Sequence, residues 1–172
     1  MNGKIFTLRN LYQSGTEKLE KAGIREAKLD AWYLLEYKTG ISRAVFLADP
    51  DREVEEEKAE SYQKDICTRA RRIPLQHITG EQEFMGLNFK VNENVLVPRQ
   101  DTEILVEEAL KRIRPDMQIL DMCTGSGCIL ESILKFGEKK QMHLKGTGCD
   151  ISEEACTRKQ QPSGNRCKIY KK

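Results

Sequence analysis

Leu8, Leu11, Leu19 and Ala22 fall on one rough helical face, and Gly23 ends the run, so the apolar pattern predicts a first helix ahead of this glycine. A second helix is predicted over about 25–38. Leu29, Trp32, Leu35 and the neighbouring Tyr33 and Leu34 give it a broad apolar side, and Gly40 closes it. Ser42 can cap a short helix carrying Val45, Phe46 and Leu47, which Pro50 prevents from continuing. A fourth, longer and more polar helix is predicted over about 53–71. Together these make a small helical bundle with Trp32 in its core, and the R-A-R-R run at 69–72 reads as exposed charge at a helix end, favourable to the dipole there.

The period changes at Ile73-Pro74. Phe84, Leu87, Phe89 and Val91 alternate on one face on either side of a Gly86 turn, and Val95 to Val97 read as a further short strand, so a β-hairpin is predicted. After Pro98, Asp101 or Thr102 caps a helix with Glu103 in its first turn, and Ile104, Leu105, Ala109, Leu110 and Ile113 are expected to face inward until Pro115 stops it.

The most informative stretch is Q-I-L-D-M-C-T-G-S-G-C-I, Gln118 to Ile129. A short apolar run ends in Asp121, a Thr-Gly-Ser-Gly turn follows, and Ile129, Ile133 and Leu134 then recur at helical spacing, which reads as strand, glycine turn and helix. Glycine at Gly125 and Gly127 permits φ > 0 and close approach of a ligand to the backbone. The helix beginning near Cys128 is expected to offer unpaired N–H groups and a positive dipole end to the occupant of the turn. Asp150 closes the next apolar segment, His143 to Cys149, where an acid is placed to accept hydrogen bonds from ribose hydroxyls.

Two cofactor classes compete for such a turn. A dinucleotide wants a third small residue where this chain has Leu130, and Asp121 ahead of the loop would repel a pyrophosphate. S-adenosylmethionine has no phosphate, and its positive methionine end tolerates that acid. The order D-x-x-T-G-S-G therefore favours a methyl donor, with an NAD-dependent enzyme as the weaker alternative.

Composition narrows the classes further. Across 172 residues, one third are charged, mean hydropathy is −0.62, and no apolar run reaches the roughly 18–20 residues of a membrane span. With no signal-peptide core at the N-terminus, the sequence is expected to be cytoplasmic. Twenty-nine basic residues against 27 acidic ones leave a net charge of +2, too little for bulk attraction to nucleic acid, and the acidic stretch at 51–60 reads as a solvated helix face. None of the six cysteines forms C-x-x-C and His77 and His143 stand far apart, so no metal site or histidine triad is expected and the cysteines read as reduced thiols.

Four stretches, R-R-I-P-L-Q-H-I-T-G-E-Q-E-F-M-G-L-N-F-K-V (Arg71 to Val91), V-L-V-P-R-Q-D-T-E (Val95 to Glu103), I-L-D-M-C-T-G-S-G-C-I (Ile119 to Ile129) and D-I-S-E-E-A (Asp150 to Ala155), resemble the PrmC/HemK family. Members of this family use S-adenosylmethionine to methylate the glutamine of the Gly-Gly-Gln motif in peptide chain release factors. The resemblance implies an α/β chain with a helical release-factor-binding domain over 1–72 and a β-hairpin linker over 73–98. The first part of a Rossmann-like class I methyltransferase domain would follow over 99–172. It implies that Cys123, Thr124, Gly125, Ser126 and Gly127 line the donor pocket and that Asp150 holds the ribose, with glycine usual in the family where Cys123 stands here.

The family's catalytic Asn-Pro-Pro-Tyr sequence does not occur in these 172 residues, so no catalytic residue is assigned. After Ala155 the sequence C-T-R-K-Q-Q-P-S-G-N-R-C-K-I-Y-K-K, with Pro162 and Gly164, departs from an amphipathic helix. The expectation is a truncated product that ends in an altered reading frame and is inactive by itself, or a non-catalytic module that binds a release factor.

Overall fold

A computed structural model describes residues 5–152 and divides the chain into two compact units, ending and beginning at Thr79 and Gly80. The atypical C-terminal tail and the last three residues of the D-I-S-E-E-A stretch lie outside the described residues.

The first unit is helical: α1 (Leu8–Lys21), α2 (Ala27–Thr39), α3 (Arg43–Ala48), α4 (Glu56–Ala70) and α5 (Leu75–Thr79). Thr7 caps α1 by accepting the Asn10 N–H at 3.3 Å, and Gly40 ends α2 in the left-handed region at φ 71°. Leu8, Leu11, Leu19, Ala31, Leu34, Leu35, Ala59, Tyr62 and Ile66 form the core. Trp32 is buried, as its position among leucines predicts, and packs at 5.2 Å between ring centroids from Phe46. Leu29, expected on the same apolar side, is exposed.

In the arginine run Arg71 and Arg72 are exposed, as expected, but Arg69 is not a solvated charge. Arg69 donates from Nε to Asp30 Oδ2 at 2.7 Å and from Nη1 to the Ile73 carbonyl at 3.1 Å, so the buried carboxylate of Asp30 on α2 is held by a cation on α4. Single-sequence periodicity gives no sign of this pair, because the partners lie 39 positions apart.

In the second unit β1 (Glu81–Phe84) and β2 (Leu87–Lys90) form an antiparallel hairpin with Phe84 opposite Leu87. Its two turn residues, Met85 and Gly86, both take positive φ, the geometry that matches the strands' twist. Val95 to Val97, expected to be a strand, is not one. Val95 instead turns back on Asn92 and buries itself against Val91.

Helix α6 (Glu103–Arg112) follows a short 3₁₀ turn. Its inward face is Val106, Ala109 and Leu110, continued by Ile113, whereas Ile104 and Leu105, expected inside, are 62% and 55% exposed. The i, i+3, i+4, i+7 spacing starting at Val106 sets the helix's rotation, and a stripe that narrow leaves no room for the two preceding residues. Neither Asp101 nor Thr102 caps the helix with its side chain. Glu103 Oε1 accepts the Met85 N–H at 2.7 Å and so ties α6 to the hairpin turn.

Strand β3 (Gln118–Met122), helix α7 (Cys128–Lys139) and strand β4 (Lys145–Cys149) complete the described unit, with β3 and β4 parallel and in register from Gln118 opposite Lys145 to Met122 opposite Cys149. Leu130 and Leu134 of α7 pack directly over Gly146, where a Cβ would lie 2.6 Å from Leu134 Cδ1. Close packing of helix on sheet is achieved here by a glycine in the strand, which is why the helix can carry Leu130 where a dinucleotide turn needs a small residue.

Candidate functional site

The parallel pairing of β3 with β4 places the turn after β3 next to the residue that ends β4. Cys123, Gly125 and Gly127 all lie in the left-handed region, at φ 62°, 54° and 77°. Gly127 is the N-cap of α7, and a Cβ at Gly125 would meet no atom within 4 Å, so one side of the turn is open. Of the predicted cofactor residues, Cys123 is exposed and Thr124, Gly125, Ser126, Gly127 and Asp150 are half-buried.

Asp150 Oδ2 accepts the Gly125 N–H at 2.8 Å, and its Oδ1 accepts the Ser152 N–H at 2.9 Å. The bond to Ser152 first, and then those to Gly125 and Ile151, hold the Asp150 carboxyl below the usual carboxylate range. Asp121 behaves oppositely. Burial is the main cause that raises its pKa, the neighbouring charge of Asp150 adds to the rise, and the Thr124 hydroxyl and the Leu130 N–H oppose it. The Thr124 hydroxyl donates to Asp121 Oδ2 at 2.7 Å, so this acid, read from sequence as facing a donor's positive end, is engaged in holding the turn.

Three amides of the turn are engaged within the chain itself. The Thr124 N–H donates to the Cys149 carbonyl at 2.9 Å, that of Gly125 to Asp150, and that of Gly127 to the Thr124 carbonyl at 2.8 Å. These amides shape the loop and hold it to the end of β4. The open surface of the turn and the Asp150 carboxylate are left as the features with which a ligand can engage.

The residues present thus fit an adenosyl cofactor better than a pyrophosphate: the turn is open, the N–H groups of Thr124, Gly125 and Gly127 are committed within the chain, and two carboxylates, Asp121 and Asp150, flank it. S-adenosylmethionine, where bound, would supply an electrophilic methyl on a sulfonium. Cys128, the first residue of α7, is buried, which pushes its thiol up and leaves it a small apolar contact.

A helical unit followed by strand, glycine turn, helix and parallel strand defines the class: an N-terminal helical domain joined to the opening part of a Rossmann-like methyltransferase fold. Residues 10–80 match the family model described as the PrmC N-terminal domain. The chain is also similar to proteins named release factor glutamine methyltransferase. The relative from Caulobacter vibrioides is 36% identical over 151 residues, 87% of this chain and 51% of the relative. That from Clostridium botulinum is 42% identical over 124 residues, 71% of this chain and 44% of the relative. The Moorella thermoacetica protein is 37% identical over 153 residues, 88% and 53% of the two chains.

These matches show the resemblance to the PrmC/HemK family, in the helical unit and onward into the second. The chain spans about half the length of the curated relatives it matches.

Proposed function

We propose that this chain carries the release-factor-recognition unit and the methyl-donor turn of a glutamine N5-methyltransferase that acts on peptide chain release factors in the cytoplasm. S-adenosylmethionine is held over Cys123, Thr124, Gly125, Ser126 and Gly127, with Asp150 receiving the ribose hydroxyls. The observation that carries this reading is the Asp150 carboxylate at the end of β4, bonded to the backbone of an open glycine turn at the end of β3. Similarity to proteins named release factor glutamine methyltransferase supports the substrate.

An amide nitrogen is a weak nucleophile because its lone pair is delocalised, so the chemistry depends on acceptors that hold the glutamine amide in line with the methyl group. The Asn-Pro-Pro-Tyr sequence that would supply them does not occur in residues 1–172. Residues 1–172 alone are therefore proposed to bind donor and release factor without transferring the methyl group. Incubation with labelled donor and a purified release factor tests this. Label in the release factor contradicts it, whereas co-precipitation of the factor without label supports it.

A further inference from the structure

On the helical unit, away from the donor turn, Lys18 Nζ donates to Cys67 Sγ at 2.8 Å. Lys18 stands in the last turn of α1 and Cys67 in the last turn of α4, 49 positions apart, and both side chains are exposed. The two helices meet closely here because Gly15 has no side chain above the Tyr62 hydroxyl, and a small surface cavity bordered by Ser14, Gln63 and Ile66 leads to the pair. Cys67 is the only cysteine in residues 1–79, so oxidation has no thiol partner within the unit. The nucleophile in contact with its sulfur is an amine.

We propose that Lys18 and Cys67 form an oxidation-dependent covalent cross-link, a sulfenamide, with a peroxide as co-reactant. The Cys67 thiolate attacks one peroxide oxygen, the O–O bond breaks, and hydroxide leaves as water once protonated, giving the sulfenic acid. The Lys18 amine, its ammonium proton lost to solvent, then attacks the sulfur. An S–N bond forms, the S–O bond breaks, and a second water departs. One peroxide is reduced to two waters and one thiol sulfur is oxidised, so no further oxidant is needed. A thiol reductant reverses the link by attack on sulfur. The position of the pair makes it a staple between α1 and α4 under oxidising conditions.

Treatment of the full chain with hydrogen peroxide, alkylation of remaining thiols, digestion and mass spectrometry tests the proposal. The expected result is a Lys18 peptide joined to a Cys67 peptide, lighter than their sum by two hydrogens and separated by dithiothreitol. Lys18→Arg keeps the charge but not the nucleophile, and should abolish the joined pair while a sulfenic-acid probe labels Cys67. Oxidised Cys67 with no joined Lys18, or an undiminished cross-link in the Lys18→Arg chain, overturns it.

Discussion

Asp150 and Gly125, 25 positions apart, are joined by a 2.8 Å hydrogen bond from the glycine N–H to the carboxylate Oδ2. One end of the bond is the strand-terminal acid that would take the ribose, and the other is the turn that would lie beneath the donor. Replacement of Asp150 therefore affects a ligand contact and the loop's shape together. Asp150→Ala is expected to weaken S-adenosylmethionine binding about tenfold or more, in line with about 1.5–3 kcal/mol for a hydrogen bond to a charged group. Asp150→Asn, which retains an acceptor oxygen, should lie between. Fluorescence or calorimetric titration of the three chains checks the order.

Cys123 holds φ 62° with a Cβ, a conformation that costs a non-glycine residue about 1–3 kcal/mol. Cys123→Gly relieves this strain and adds unfolded-state entropy, so a net gain of about 1 kcal/mol in unfolding free energy is expected. Cys123→Val, β-branched, should lose at least as much. Urea unfolding midpoints measure both, and a Cys123→Gly chain less stable than the parent would show that the thiol makes a contact worth more than the strain.

Titration of the two acids should act in opposite directions. The Asp150 pKa is depressed in the folded chain, so its stabilisation is present above the ordinary carboxylate value and is lost as pH falls through the folded value. The Asp121 pKa is raised mainly by burial, so its favourable contribution is present at low pH and is lost as pH rises through that raised value. Asp121→Asn should thus stabilise the chain at neutral pH, provided the amide oxygen still accepts from Thr124. Asp150→Asn should remove part of the acid-side loss. Unfolding free energies measured across the acid range in each variant check both signs.

The Asp30–Arg69 pair is mostly shielded from solvent, with side-chain exposures of 11% and 18%. Arg69→Met leaves a buried carboxylate without its cation and is expected to cost about 3 kcal/mol, at the lower end for breaking a buried pair because some exposure remains. Combining Arg69→Met with Asp30→Leu should recover most of that loss. Chemical denaturation of the single and double variants decides it, and a single variant as stable as the parent would contradict the pairing.

Periodicity and glycine placement were enough to locate most elements, because Leu8, Leu11 and Leu19 repeat at helical spacing and Gly40 and Gly127 mark true helix ends. They do not identify α5, a five-residue helix too short to show a period, and they suggest a strand at 95–97, which pairs with no strand among the described residues. The orientation of α6 is not legible in the sequence because Ile104, Leu105, Ala109, Leu110 and Ile113 crowd one window with Val106, and only the packing around Val106 decides which of them are inside. At the turn, residue types pointed to the left-handed glycines and to Asp150. The use of the Thr124, Gly125 and Gly127 amides within the loop depends on the register between β3 and β4, which a single sequence does not specify.

Calorimetric titration of residues 1–172 with S-adenosylmethionine, alongside the Asp150→Ala chain and with NAD as competitor, tests the central claim most directly. Saturable binding of S-adenosylmethionine that weakens about tenfold without Asp150, and no displacement by NAD, is the predicted result. Absence of binding in a folded chain, binding indifferent to Asp150, or displacement by NAD would contradict the assignment of this turn to a methyl donor.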